Sequence, residues 1–196
     1  MSWLEKAEKL TTDAQPETRA KVLYTGGELA WLLGEEARGR AWLEESVSIW
    51  RCLDDQRRVA YCLQALSFLV DPALGREQAR ESITIFHATS DAWGEALAVH
   101  TLGMIESQRG DPKEARSRLE DGLRRYQQLG DSYLTVQALN LLGDLDRNDD
   151  NYPLARIHYE AALAIQETSA FPSNRPSLLQ NLGFVSFHLG DGSKAL

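Results

Sequence analysis

Residues 101–123 read TLGMIESQRGDPKEARSRLEDGL, and residues 141–163 read LLGDLDRNDDNYPLARIHYEAAL. Both stretches have a glycine in third place, an alanine in fifteenth place and a leucine in last place. The same register runs along the chain, because Gly27, Ser67, Gly103, Gly143 and Gly183 follow one another at intervals of 40, 36, 40 and 40. A repeat of this length is typical of a solenoid of stacked helical repeats, which usually serves recognition rather than catalysis.

Each repeat predicts a pair of antiparallel helices. In the first helix, aliphatic residues such as Val99, Leu102 and Ile105 recur on one helical face around the small residue. A turn signal such as Gly110-Asp111-Pro112 follows. A second small residue comes twelve positions after the first, at Gly39, Ala79, Ala115, Ala155 and Ala195. Because helices pack about 8–10 Å apart only where the side chains between them allow it, we expect each small pair to mark a helix crossing.

The register divides the chain into one leading helix and five helix pairs. Residues 1–15 are predicted to be the trailing helix of a preceding repeat. The pairs are predicted to span residues 16–55, 56–91, 92–131, 132–170 and 171–196, the last one truncated, as in a fragment of a longer protein. The second repeat is four residues short, and we expect the loss in its second helix, since Asp91 follows Ala79 by only twelve positions. The predicted fold is an all-α, right-handed α-α superhelix.

Composition and charge argue against several classes of function. The net charge of -8 at pH 7 argues against a nucleic-acid surface, which needs clustered Lys and Arg. No run approaches the roughly 18 apolar residues of a membrane span, and the N-terminus alternates charged and apolar residues, unlike a signal peptide. We therefore expect a cytoplasmic protein in which Cys52 and Cys62 are reduced and buried.

No arrangement of residues predicts catalysis or a cofactor. The four histidines fall in different repeats and form no metal-binding spacing. Residues 146–157 begin like a calcium loop, but Asn151 and Ile157 stand where such a loop needs glycine and glutamate. We attribute the aspartates of this stretch to helix capping, and we expect a protein that is not an enzyme and holds no metal or other cofactor.

The face of each first helix opposite the core is predicted to bind a partner. Three positions before the small residue, every repeat has a side chain that can hydrogen-bond but is neither a carboxylate nor an ammonium, which suits the N–H and C=O groups of an extended peptide. A solvated face whose aromatic residues contact adjacent repeats is the alternative interpretation. The predicted contact residues are Tyr24, Glu28, Trp31, Tyr61, Gln64, Phe68, His100, Met104, Asn140, Asp144, Arg147, Gln180 and Phe184.

The segments that contain Thr101-Leu102-Gly103, Asn140-Leu141-Leu142-Gly143 and Tyr159-Glu160 resemble tetratricopeptide repeats of the long type, with about 40 residues each. The likeness covers roughly residues 16–196. Some tetratricopeptide proteins hold a partner's C-terminal carboxylates with a cluster of Lys, Asn and Arg on the first helices. Here only Lys21 and Arg147 are available, far apart in the chain, so we do not expect that clamp.

Residues 3–7, 16–20 and 44–50 resemble the C-terminal repeats of large bacterial signalling ATPases and LuxR-type transcriptional regulators. This resemblance implies a sensor or partner-binding arm, whose ATPase and DNA-binding modules are not in this chain. The predicted partner is a protein or peptide, including another domain of the same full-length protein, with no direct contact to nucleic acid or membrane. Two other functions stay open: a small-ligand receptor in which Trp31, Tyr61 and Phe68 enclose a metabolite, and a structural spacer that forms homodimers.

Overall fold

The computed structural model describes residues 14–108, 111–168 and 175–190. Within these ranges the regular elements are nine α-helices and no strand is present, which confirms the predicted all-α class. The helices are α1 (Pro16–Leu32), α2 (Glu36–Cys52), α3 (Gln56–Leu66), α4 (Pro72–Ala88), α5 (Ala92–Gln108), α6 (Pro112–Leu129), α7 (Ser132–Asn148), α8 (Tyr152–Thr168) and α9 (Arg175–His188). The helix predicted at residues 1–15 falls almost entirely, and Ala195 entirely, outside the described residues.

Within the described residues, short turns separate α1 to α5 from one another and α6 to α8 from one another, as the turn signals predict. Aspartate side chains accept hydrogen bonds from backbone N–H groups in the first turns of five helices, at Asp55, Asp71, Asp91, Asp111 and Asp131. These bonds satisfy backbone donors that have no partner inside the helix. Gly130, with φ of 70°, ends α6 in the left-handed conformation that glycine adopts without strain.

The chain forms two compact units, residues 1–105 and residues 106–196. In the first unit, α1 and α2 are antiparallel: Ser46 Oγ donates to the carbonyl oxygen of Ala20 at 2.8 Å, whereas Gly27 meets Gly39 nearer the connecting turn. A Cβ added at Gly39 would lie 2.9 Å from the carbonyl oxygen of Gly27. The first predicted small pair therefore marks a helix crossing at which the two backbones touch.

The missing four residues lie in the first helix of the second repeat, so the prediction that its second helix is shortened is wrong. α3 has 11 residues, whereas α4 has 17, the same length as α1 and α2. Because α3 is shorter, the crossing between α3 and α4 lies at an earlier residue of α4: a Cβ added at Gly75 would overlap the carbonyl oxygen of Ser67. Gly75, rather than the predicted Ala79, is thus the partner of Ser67, and the fully buried Ala79 packs with Leu102 and Ile105.

In the second unit, α7, α8 and α9 share an apolar core. Its buried members are Val136, Leu139, Ala155, Tyr159, Ala162, Leu178 and Val185. A Cβ added at Gly143 would lie 2.5 Å from the ring of Tyr159, so this glycine makes room for an aromatic side chain. At Gly183, by contrast, no heavy atom of the described residues lies within 4 Å of such a Cβ.

The two cysteines differ from each other. Cys62 is buried, as predicted, but Cys52 is exposed, because it is the last residue of α2, where the helix leaves the core. Neither forms a disulfide. Across the described part of the chain, no helix combines the length and the apolar character that a bilayer crossing needs.

Candidate functional site

Two of the predicted contact residues are buried in the first unit. Gln64 exposes 6% and His100 exposes 5% of its surface. Gln64 Nε2 donates to Thr101 Oγ1 at 2.8 Å and so joins α3 to α5. Gln64 thus holds two helices together, and the contact of the buried Gln64 and His100 with a peptide stays a prediction that this geometry does not favour. Met104, also on α5, is half-buried.

Burial also controls the protonation of His100. It lowers the pKa of this imidazole from 6.5 to about 4, because the charged form would lose its hydration inside the protein. The unfolded chain therefore binds a proton between these pH values that the folded protein does not bind. By linkage, stability rises with pH in this window and is lost as the pH falls from 6.5 towards 4.

We expect His100→Gln to reduce this acid sensitivity. Between pH 7 and pH 4.5 the variant should lose about 2 kcal/mol less unfolding free energy than the wild type, since one pKa unit corresponds to about 1.4 kcal/mol. Urea unfolding followed by circular dichroism at the two pH values measures the difference. Each protein is compared with itself at the two pH values, so a packing defect in the variant does not affect the difference. An equal loss of unfolding free energy in both proteins would show that His100 does not cause the acid sensitivity.

Tyr24 and Glu28 lie one turn apart on α1 and contact each other. The Tyr24 hydroxyl donates to Glu28 Oε1 at 3.0 Å. Burial, followed by the charge of Glu28, raises the pKa of the Tyr24 phenol, and burial also raises the pKa of the Glu28 carboxyl against the effect of this hydrogen bond. The hydrogen bond thus joins two half-buried side chains on neighbouring turns of α1.

The predicted aromatic enclosure of Trp31, Tyr61 and Phe68 does not form. Trp31 and the half-buried Phe68 stack on each other with ring centroids 5.3 Å apart and planes 5° apart. Tyr61 instead packs on Phe86 and Trp93, with centroid distances of 4.7 and 6.1 Å, and its hydroxyl donates to Asp91 at 2.8 Å. Tyr61 thus makes no ring contact with Trp31 or Phe68, and no observation in the described residues supports a metabolite held by these three rings.

A cavity of about 330 Å³ opens beside Tyr24 and Tyr61 in the first unit. It is lined by Lys21, Tyr24, Thr25, Trp50, Arg58, Tyr61 and Cys62, and we call it the α1–α3 cavity. The guanidinium carbon of Arg58 lies 4.7 Å from the centroid of the Trp50 ring. The sequence columns missed Trp50 and Arg58, because these residues lie in the last turn of α2 and the first turn of α3.

In the second unit, α7 and α9 bring four polar side chains together. We call Asn140, Asp144, Arg147 and Asn181 the amide cluster. Arg147 Nη1 donates to Asn181 Oδ1 at 2.8 Å, and Arg147 Nη2 lies 3.3 Å from Asp144 Oδ1. Asn181 Nδ2 donates to Asn140 Oδ1 at 3.3 Å and to Asp144 Oδ1 at 3.4 Å.

Three members of the amide cluster were predicted from the sequence, and Asn181 was missed. The column three positions before Gly183 pointed to Gln180, which is exposed, whereas Asn181 next to it faces α7. Phe184, also predicted, extends the cluster: it is 46% exposed, and the Arg147 guanidinium lies 5.7 Å from its ring centroid. An exposed ring beside ordered polar groups is typical of recognition surfaces.

Asp146 is not a helix cap, as the sequence interpretation held, but the centre of a buried ion pair. It has no exposed surface, and its carboxylate lies 2.6 Å from Arg116 Nη2 and 2.6 Å from His158 Nδ1. In the part of the chain that the structure describes, no group of three or more His, Cys, Asp or Glu side chains is placed to hold a metal ion.

Residues 94–168, less than half of the chain, match the family described as Tetratricopeptide repeat. No curated protein matches the chain by sequence. Among solved structures, BtubC from P. vanneervenii is similar with a TM-score of 0.78 and 20% identity, over 98% of this chain and 82% of that chain. The likeness confirms the tetratricopeptide-like helical solenoid as the fold class.

Two further solved structures are similar over nearly the whole of this chain. The Rap protein complexed with Competence and Sporulation Factor has a TM-score of 0.83 and 13% identity, over 97% of this chain and 55% of that chain. NprR in complex with its cognate peptide NprX has a TM-score of 0.75 and 16% identity, over 98% of this chain and 57% of that chain. The chain thus spans little more than half of these two proteins, and at such identities the likeness concerns the fold alone.

Proposed function

We propose that the chain is a non-catalytic protein- or peptide-binding repeat domain, the sensor or interaction arm of a larger bacterial signalling regulator. The observation that carries the proposal is the amide cluster with the exposed ring of Phe184 beside it. An amide side chain both donates and accepts hydrogen bonds, as does each peptide unit of an extended partner. The ring supplies an apolar anchor next to these polar groups.

Asn140 is the member of the cluster best placed to bind a partner's backbone. Its Oδ1 accepts the 3.3 Å bond from Asn181, while its Nδ2 makes no hydrogen bond to another described residue. Arg147 holds Asn181 through the 2.8 Å bond, so the two amides are ordered before a partner arrives. Groups that are ordered in advance lose less conformational entropy on binding.

The comparisons support peptide recognition on this fold. Two similar structures are described as complexes, of Rap with Competence and Sporulation Factor and of NprR with its cognate peptide NprX. The wider context of the proposal, a cytoplasmic regulator, rests on the resemblance to bacterial signalling ATPases and LuxR-type regulators. A protein or peptide, including a domain of the same full-length protein, is the proposed partner.

Selection of a displayed random peptide library on the immobilised protein should enrich a family of related peptides. Asn140→Ala should weaken the binding of an enriched peptide by about fivefold to tenfold, because a hydrogen bond contributes about 1 kcal/mol net. Fluorescence anisotropy with a labelled synthetic peptide measures the Kd. The melting temperature of the variant should equal that of the wild type. The absence of any enriched family would contradict peptide recognition.

Gln64→Ala is the matched control, because it truncates an amide at the same repeat position but in the buried contact with Thr101. This variant should lose about 1–2 kcal/mol of unfolding free energy and bind the same peptide with an unchanged Kd. If both variants weaken binding equally, or if Asn140→Ala has no effect, the amide cluster is not the contact surface.

A further inference from the structure

The α1–α3 cavity combines apolar walls with cations at its edge. Tyr24 of α1, Trp50 of α2 and Tyr61 of α3 form three of its sides, so the space is bounded by three different helices. Its volume of about 330 Å³ lies at the lower end of the roughly 300–1,000 Å³ of small-ligand pockets. Lys21 and Arg58 also line it. A chain with net charge -8 thus places two cations at one of its cavities.

Both cations are accessible to a ligand. Lys21 Nζ lies 2.6 Å from Glu17 Oε1 in an exposed pair within α1, and such pairs contribute little and rearrange easily. Arg58 donates from Nε to Asp55 Oδ2 at 3.1 Å and stacks on Trp50. Its two terminal amino groups make no hydrogen bond to another described residue. They remain available for the planar, charge-assisted bonds that a carboxylate accepts.

Glu17 shows which group this edge of the cavity stabilises. The hydrogen bond and the charge of Lys21, with a further contribution from Arg58, lower the pKa of the Glu17 carboxyl. Glu17 is therefore a carboxylate of the protein itself that lies in the field of both cations, and the carboxylate of a ligand would replace it.

The remaining lining groups stay neutral and do not repel an anion. Burial, followed by the hydrogen bond to Asp91, raises the pKa of Tyr61 to about 12, and burial raises the pKa of the Cys62 thiol to about 11. The Tyr24 hydroxyl donates a hydrogen bond to Glu28 Oε1 at 3.0 Å, and burial raises the pKa of this phenol as well.

We infer that the α1–α3 cavity is a binding site for a small organic carboxylate with an apolar body. The carboxylate takes the place of Glu17 on Lys21 and bonds the terminal amino groups of Arg58, while the body packs between Trp50, Tyr24 and Tyr61. This site lies in the first compact unit and shares no residue with the amide cluster. The carboxylate site is therefore independent of the proposed peptide recognition.

The probe is 4-fluorophenylacetate, followed by the broadening of its ¹⁹F resonance on addition of the full chain. For a ligand of this size we expect a Kd on the order of 1 mM. 4-Fluorophenylacetamide has the same shape without the charge and should bind at least about tenfold more weakly. Equal binding of acid and amide, or no saturable binding of the acid at about ten times that Kd, would overturn the proposal.

Three variants test the site, because two of them should change the affinity in opposite directions and the third should leave it unchanged. Lys21→Gln should weaken binding of 4-fluorophenylacetate by about fivefold, and Glu17→Gln should strengthen it by a similar factor, because the internal competitor is removed. Arg40→Gln is the matched control, since Arg40 and Glu44 form the same kind of exposed pair, 2.8 Å apart, away from the lining residues. Weaker binding by Glu17→Gln, or an equal loss in Arg40→Gln, would refute the assignment.

Arg58 and the source of the carboxylate are tested separately. Arg58→Lys keeps the positive charge but not the planar pair of donors, so it should bind more weakly than the wild type and more tightly than Arg58→Gln. Circular dichroism shows whether either change disturbs the helix. A blocked peptide with one glutamate next to one phenylalanine presents the same chemistry on a chain. If it binds more tightly than the free acid, the assignment to a small molecule is overturned.

Discussion

Asp146→Ala is expected to lower the unfolding free energy by about 3–5 kcal/mol, the cost of breaking a buried ion pair by removing one partner. Asp146 has no exposed surface, and its carboxylate lies 2.6 Å from both Arg116 Nη2 and His158 Nδ1. Alanine leaves the largely buried guanidinium of Arg116 without its short contact. The other carboxylate contact of Arg116, with Asp149 at 3.7 Å, is longer and half-exposed. Urea unfolding followed by circular dichroism measures the loss.

Asp121→Ala is the matched control. Asp121 also makes two short contacts, with Arg124 and Arg125 at 3.1 and 2.9 Å, but all three residues lie on the surface of α6. Solvent screens these pairs, so we expect a loss of less than about 1 kcal/mol. Asp146→Asn retains an oxygen for Arg116 and should fall between the two alanine variants. Equal losses in Asp146→Ala and Asp121→Ala would show that the buried ion pair does not stabilise the second unit.

The helix pairing could be predicted because close helix crossings restrict side-chain size at fixed intervals. Gly27 and Gly39 demonstrate the rule, since each backbone leaves no space for a Cβ on the other. The interval of 36 in the second repeat was visible too, but its location was not. Counting positions cannot tell whether four residues are missing from the first helix or from the second. The lengths of α3 and α4 and the contact between Gly75 and Ser67 decide it.

The candidate site was predicted only in part, for a geometric reason. A position three before the small residue lies at the border between the packed and the open face of a helix, since successive residues turn by about 100°. At such a border the neighbouring helix decides exposure. Gln64 meets Thr101 and is buried, whereas Asn140 meets Asn181 and stays half-exposed.

The α1–α3 cavity could not be predicted from one helical column. Trp50 and Arg58 approach Tyr24 only because three helices meet around the turn between α2 and α3. Neither residue belongs to the repeating positions that define the register. Sites of this kind depend on how helix ends are placed, and the periodicity of the chain contains no information on that placement.

Gly75→Ala is expected to destabilise the protein by about 1–3 kcal/mol, the usual range for overpacking a close contact. The sign is informative, because alanine is the better helix former by about 0.5–1 kcal/mol and would otherwise stabilise α4. The new methyl group would overlap the carbonyl oxygen of Ser67, a backbone atom that moves only if the end of α3 moves. Urea unfolding of the variant and the wild type measures the difference.

Gly183→Ala is the matched control for this prediction. It makes the same change within a helix, but no heavy atom of the described residues lies within 4 Å of the new Cβ. It should therefore leave stability unchanged or raise it by about 0.5–1 kcal/mol. If Gly75→Ala behaved in the same way, Ser67 and Gly75 would not form the crossing.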